Sequence, residues 1–438
     1  MGKTVLTFGE IMMRLSPKDH LRIEQATEFD VRYGGAEANT ALSLAYQGDK
    51  AAYVSVVPAN RLGECALRSL KVYDVDTSRV VRKGDRLGSY VFEVGASQRG
   101  NGCVYDRKYS AINMAKRDVF DWDEILKGID VFYFSGVTPA VSDEMAAACK
   151  DALAACRAKG ITTVCDVNYR GKMWSPEKSQ ATMRELLPLV DICIANDEDA
   201  PAGLGMTCVS GSLAHGIEER DTYVEMARQI CAEYGCKKVA SVVRNISCVE
   251  RSIWMGMLFD AESGEHWFSP AHDVHVLEGV AAGDAFNAGL VHALINDFDP
   301  QDAVNYAIAA SILKLTIKGD SNLVTADEIA AWHPPPTVAP ASPVNSFPIP
   351  RAAAFHTHTP ATRSPISPVG QSHQSHSGFV WHSFTTGLVA GSEIACDPSS
   401  ASDNQSGTGS WPIFFGNHAP VRASHRKEHY VRSVLHHA

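Results

Sequence analysis

Short apolar runs alternate with amphipathic runs across residues 1–332, and this rhythm restricts the fold more than any other feature of the chain. The candidate strands are TVLTFGEIM, AAYVSVV, DVFYFSG, ITTVCDVN, VDICIAN and KVASVV. Between them, AEANTALSLAYQ, SDEMAAACKDALAACRAKG and TYVEMARQICAEYG carry apolar residues at helical spacing. Strands that succeed one another through helices pair in parallel, because a parallel neighbour is reached only by a long crossover. The expectation is an α/β fold with a mainly parallel central sheet flanked by helices. Such sheets bind ligands beyond the carboxyl ends of their strands.

One stretch breaks the rhythm. RLGSYVFEVGASQRGNGCVYDRKYSAI, residues 86–112, reads as β-hairpin material with GASQRGNG as its turn. With residues of the 11–33 stretch and FDVRYGG (29–35), it is expected to form a small β lid over the site. Composition then shifts at Trp332. Residues 333–438 hold most of the 21 prolines and 17 histidines and few charges. A segment of that kind buries too little apolar surface to offset its chain entropy, so a disordered tail is expected there. Residues 1–332 are expected to be the folded domain.

The formal net charge of -10 argues against general affinity for nucleic acid or for anionic membranes. It leaves room for a small anion held by a few local arginines. The 11 cysteines are odd in number, form no C-x-x-C pair and read as reduced thiols of a cytoplasmic protein. No apolar run approaches the roughly 20 residues needed to cross a bilayer.

Chemistry concentrates in a few stretches. In GVAAGDAFNAGL (279–290), the small residues Gly279 to Gly283 deliver Asp284 to the start of a helical pattern. Two readings stay open: Asp284 caps the helix, or it is a base beside a phosphate cradle made by the helix start. YGGAEAN sets Gly34 and Gly35 before a helix, with Asn39 in its first turns. The hairpin offers Tyr90, Tyr105 and Arg107, the last two on one strand face. Arg170 follows a strand, and with Arg107 it could clamp a carboxylate. Asn196 and Asp199 in IANDED suit Mg²⁺, although an acidic helix start explains them equally.

FGEIMMRLSP, YGGAEAN, VYDRKYSA, FSGVTPAVS, DVNYRGKMWSP, IANDED, AAGDAFNAG and LKLTIKGDSNLV occur in that order along the domain. In this series the chain resembles the PfkB, or ribokinase-like, family of carbohydrate kinases. YDRKYSA, and DVNYR followed by a tryptophan, resemble its ketodeoxygluconate branch. The resemblance implies a ribokinase-like fold, ATP and Mg²⁺ as cofactors, and phosphorylation of 2-keto-3-deoxygluconate to its 6-phosphate. It implies that Gly34, Gly35 and Asn39 hold the sugar-acid hydroxyls, that Tyr90, Tyr105 and Arg107 reach in from the lid, and that Arg170 pairs with the carboxylate. Asn196 and Asp199 would organise Mg²⁺ through water. Amides of Ala282, Gly283 and Asp284, after Ala281, would form the anion hole, with Asp284 as base, or as base and cap at once. A homodimer is implied too. A kinase for a neutral sugar such as fructose, or a weakened sugar-acid-binding protein, are the other readings.

The family loop D-x-x-G-x-G-D is altered, with Glu278 for its first aspartate and Ala281 for its first glycine. If Ala281 needs positive φ, its Cβ costs about 1–2 kcal/mol. Placed wholly on the transition state, that is roughly a tenfold to thirtyfold loss of rate. Asp199 is one methylene shorter than the family's glutamate, and VVRNISCVERSIW lacks the glycine-bearing turn expected near the nucleotide. The departures gather on the ATP side.

Overall fold

The structure, a computed structural model, describes residues 2–209 and 214–332. The tail expected over 333–438 lies outside the described residues.

Successive side chains of a strand point to opposite faces, and this divides the core in two. In Val131–Ser135, Phe132 and Phe134 join one apolar cluster while Val131 and Tyr133 join the other. Cys165 and Cys193 repeat the first choice, Val164 and Ile192 the second. Both faces are therefore apolar, as a sheet covered by helices on two sides requires. Helix Asp143–Lys159 covers one face with Met145, Cys149, Ala152 and Cys156, its start capped by Ser142 and its end by left-handed Gly160. Helices Ala36–Tyr46, Ala282–Ile295 and Pro300–Lys314 contribute to the other cluster.

Among the described residues the central sheet has nine strands. Its order is His266–Phe268, Arg251–Asp260, Lys238–Cys248, Ile192–Ile194, Thr162–Asp166, Val131–Ser135, Thr4–Phe8 and Lys50–Val54, with His272–His275 also on Arg251–Asp260. Pairing is parallel from Lys238–Cys248 to Lys50–Val54 and antiparallel beyond. This is the mainly parallel, helix-flanked sheet expected. TVLTFGEIM is not one strand: it stops at Phe8, because Gly9 sits against the buried Glu37 side chain of the first helix and the chain turns away.

The chain then enters a second sheet, ordered Phe29–Gly34, Met12–Pro17, Ser89–Glu93, Gly102–Asp106. Its inner face packs Met12, Tyr90 and Phe92 against Cys103, Tyr105 and Val280. On its outer face Leu15 pairs with Val31 and Val91, and Val91 with Val104. The hairpin turn 95–101 reaches the central sheet, where Ser97 N donates to the Glu250 carboxylate at 2.8 Å and Val249 N donates to Ser97 O at 3.0 Å. Among the described residues no helix is long and apolar enough to cross a membrane.

Candidate active site

The run of small residues before Asp284 forms a tight loop into helix Ala282–Ile295. Ala281 is its N-cap residue and is left-handed, φ 62° and ψ 11°. Asp284 is therefore the third residue inside the helix, and the cap reading is wrong: the cap position belongs to Ala281, and the Asp284 carboxylate accepts from Asn39 Nδ2 at 2.8 Å. The first N–H groups of a helix have no carbonyl partner within it, and here Ala282, Gly283 and Asp284 supply them. Burial pushes the Asp284 carboxyl up to about 7; the Asn39 hydrogen bond opposes this, and the Glu37 carboxyl adds to it. A group poised near neutrality is suited to accept a proton.

A cavity of about 330 Å³ opens in front of this loop. It lies at the carboxyl ends of the parallel strands, beside Asp166, Asn196 and Val242. Gly35, Asn39, Tyr90, Tyr105, Arg107, Arg170, Asn196, Asp199 and the loop residues Ala281 to Asp284 all line it. Gly34 is not among them. A Cβ on Gly34 would lie 2.7 Å from Asp320 Cγ, so packing against Asp320 already requires glycine there. Gly35 is glycine because a Cβ would meet Glu10 O at 1.9 Å. Gly283 differs: a Cβ there would meet nothing within 4 Å, and its absence keeps the front of the loop open.

The two arginines are not equivalent. Arg107 gives Nε at 2.9 Å and Nη2 to one oxygen of Glu10, whose other oxygen takes Ser110 Oγ at 2.6 Å. Arg170 donates to Tyr169 O at 3.0 Å and makes no ion pair among the described residues. Arg107 is thus already partly neutralised; Arg170 is bound by no salt bridge among the described residues, although its charge is felt by the Asp199, Asp166 and Asp284 carboxyls.

Asn196 Nδ2 donates to Asp199 Oδ2 at 3.3 Å, and Tyr169 N donates to Asp199 Oδ1 at 2.8 Å. Burial raises the Asp199 carboxyl to about 6. Asp166, which motif reading passed over, faces the same space. Its Oδ2 accepts from Asn287 Nδ2 at 2.8 Å, while its Oδ1 is buried without a partner. Burial, then the nearby Asp199, lifts the Asp166 carboxyl to about 8. Buried carboxylates with an oxygen left over are what a bound cation would relieve. Among the described residues no three acidic, His or Cys side chains converge as a candidate metal cage.

Residues 3–327 match the pfkB family of carbohydrate kinases. The chain belongs to this family. A 2-dehydro-3-deoxygluconokinase structure from Thermotoga maritima is 40% identical, with a TM-score of 0.72 over 76% of this chain and 98% of that one. A 2-dehydro-3-deoxygalactonokinase of Haloferax volcanii is 30% identical over 75% of this chain and 96% of its own length. The 2-dehydro-3-deoxygluconokinase of Bacillus subtilis is 26% identical over 76% and 96%. A ribokinase-like protein of E. coli, solved with ATP and Mg²⁺, shares the fold at 20% identity and a TM-score of 0.62.

The PfkB kinase loop is anchored here by side chains that no local pattern reveals. Arg14, from the small sheet, is 1% exposed and pairs with Glu278 and with Asp320 Oδ2, the latter at 2.9 Å. Tyr90 OH donates to Asp320 Oδ1 at 2.5 Å, and Gly319 N to Glu278 Oε2 at 3.1 Å. Buried Lys314 stands beside both carboxylates, and burial lowers its ammonium to about 8. The glutamate that departs from the family pattern is thus long enough to meet an arginine from another sheet. Arg244 also lines the cavity, its Nη2 donating to Glu198 Oε1 at 2.6 Å. Asp166 carried a usable signal, an acid at a strand's carboxyl end; Arg14, Asp320 and Arg244 carried none.

Proposed function

We propose that this kinase transfers the γ-phosphoryl group of ATP to the primary hydroxyl of 2-keto-3-deoxygluconate. The observation that carries this reading is the meeting, in one cavity, of a buried carboxylate at a helix start and an arginine held by no salt bridge among the described residues. The first equips the cavity for phosphoryl transfer, the second for an acid rather than a neutral sugar. The names of the relatives agree with a keto-deoxy sugar acid.

In this reading Arg170 binds the substrate carboxylate while Tyr105 and Arg107 close over the chain of hydroxyls from the lid. Asp284 takes the proton of the primary hydroxyl as that oxygen bonds to the γ-phosphorus. The bond from phosphorus to the β,γ-bridging oxygen breaks, and ADP departs with the electron pair. Amides of Ala282, Gly283 and Asp284 face the three phosphoryl oxygens, supplying preorganised donors where charge spreads. Asn39 holds Asp284 in line. Mg²⁺, when bound, neutralises the phosphates; Asn196, Asp199 and Asp166 are the residues that would hold it through water.

The outer face of the lid supports a homodimer. Val31, Leu15, Val91 and Val104 run side by side across its four strands, with Val31 55% and Val104 58% exposed. An exposed apolar row of this kind suits a second copy of itself. Sedimentation should give twice the chain mass for the native protein and the single mass for Val31→Asp.

The decisive assay measures ADP release by the full chain with MgATP and, separately, 2-keto-3-deoxygluconate, 2-keto-3-deoxygalactonate and fructose. Saturable turnover on the gluconate acid, lost in Asp284→Asn, supports the reading. Preference for the galactonate epimer moves the substrate, and turnover on fructose alone sinks the sugar-acid assignment.

A further inference from the structure

We infer that a second cavity, between the lid and the segment after Arg170, is the entry vestibule for the sugar acid, and that Lys108 and Lys172 draw the anion into it. The inference rests on the sugar-acid reading of the site and adds two specificity-determining residues to it.

This cavity, of about 350 Å³, has Lys108, Asn113, Val141, Lys172 and Met173 on its walls. Tyr105 and Arg107 line it and the reacting cavity alike, so these two side chains stand between the spaces. Arg107 Nη1 lies 3.0 Å from Met173 Sδ, which carries that wall across from the lid to the neighbouring segment. Long unbranched side chains such as methionine repack readily. A partition built from them turns aside without moving a strand.

The charge of the vestibule is one-sided. Arg107, Lys108 and Lys172 face one acid on its walls, Asp106. That acid is already engaged: Arg86 pairs with its carboxylate and also donates to the backbone carbonyls of Asp106 and Lys108, each at 2.8 Å. Glu10 likewise offsets Arg107. Both lysines are exposed, and neither forms an ion pair among the described residues. Lys172 Nζ donates instead to an uncharged partner, Cys103 O, at 2.8 Å. The mouth is also held in shape. Asn113 accepts from Tyr109 N at 3.0 Å and donates to Val141 O at 2.7 Å, which ties the loop after Lys108 to the opposite wall. Like charges that line a cleft focus the field in it and raise the rate at which an opposite charge arrives. In a chain of net charge -10, which repels anions in general, two uncompensated cations mark this cleft as the approach for a carboxylate.

Initial-rate kinetics of the full chain tests this, with 2-keto-3-deoxygluconate and MgATP each varied at saturation of the other. The assays are run at ionic strengths of about 10 mM and about 500 mM, where charges act over roughly 30 Å and over only a few Å. Lys108→Gln combined with Lys172→Gln should lower kcat/KM for the sugar acid about tenfold at low salt, the lower end of what steering supplies. kcat and the KM for MgATP should stay at native values. At high salt the variant and native protein should agree within about twofold. Lys172→Arg, which keeps the charge, should behave as native. Lys108→Gln alone, expected about threefold down at low salt, carries the test if the double variant fails to fold. Native kcat/KM in the folded variants at low salt, a deficit that survives high salt, or one that falls equally on MgATP overturns the inference. Native protein that phosphorylates no 2-keto-3-deoxy sugar acid overturns the reading beneath it, a result distinct from these.

Discussion

Arg14 and Glu278 stand 264 residues apart in the chain and form a buried ion pair at the root of the loop that leads into Asp284. Side-chain exposures of 1% and 7% put both charges out of reach of water, with Asp320 and Lys314 completing the group. Removing one partner of a buried pair leaves the other uncompensated, at a cost of about 3–5 kcal/mol. Arg14→Met, which leaves Glu278 and Asp320 only Lys314, should lower the unfolding free energy from urea titration to that extent, and Glu278→Gln by less, because Asp320 still pairs with Arg14. The double variant should lose clearly less than their sum, and strict additivity would show that the pair is not coupled.

Asp284 should govern the pH dependence of turnover. As a base it works ionised, and its carboxyl titrates at about 7. kcat/KM should therefore climb with pH up to about 7 and level off above it. Asp284→Asn should flatten that limb and lower kcat by about 10²–10⁴-fold while the sugar acid still binds. A rising limb that persists in the variant would assign the titration elsewhere.

Ala281 already holds the left-handed conformation in the folded loop. Its Cβ penalty therefore falls on folding, not on each passage over the barrier, which removes the basis for the tenfold to thirtyfold rate loss expected from sequence. Ala281→Gly should stabilise the protein by about 1 kcal/mol and change kcat by less than about threefold. A large gain in kcat with no shift in melting temperature would reverse that assignment.

Arg170 should read the substrate's carboxylate. Arg170→Gln is expected to raise KM for the sugar acid by roughly 10- to 100-fold, as loss of a charge-assisted hydrogen bond does, with KM for ATP unchanged. Arg107→Gln should act more weakly on charge recognition, because Glu10 already engages Arg107. Initial-rate kinetics on both variants distinguishes them.

Stability of the ligand-free protein should fall between pH 5 and pH 8. Asp199, Asp284 and Asp166 have folded values of about 6, 7 and 8, all raised above an ordinary aspartate, so in this window the folded state binds more protons than the unfolded one. Their contribution is complete below the unfolded value and is lost as pH rises through the folded values. Carboxylates whose values are lowered, such as Asp260, are ionised in both states across the window and add no slope. Lys314, lowered to about 8, opposes this fall only as pH approaches 8 and above it, so the slope is steepest below that end of the window. Urea midpoints at pH 5.5 and 8 check the sign.

The layered fold was legible in the sequence because each strand and helix declares itself locally. Val131–Ser135 alternates between two apolar faces, and Asp143–Lys159 carries its own cap, its apolar stripe and its terminal glycine. The loop into Asp284 was legible as well, since small residues before a helix are a local pattern. What the local pattern left open was the direction of the carboxylate. Only the packing of helix Ala36–Tyr46, which brings Asn39 against it, turned Asp284 from a possible cap into a group facing the cavity. Gly34, Arg14, Asp166 and Arg244 follow the same rule. Their partners lie far away in the chain, and whether a glycine makes room for a ligand or for Asp320, or an arginine meets water or Glu278, is a question of distance in space. The sequence by itself determined the parallel sheet, its helical cover and the loop into Asp284, because hydrophobic periodicity and turn chemistry act over a few residues. The tertiary structure alone decided which charges are buried, which are paired and which remain available to a substrate, because desolvation and Coulomb attraction depend on neighbours that folding brings together.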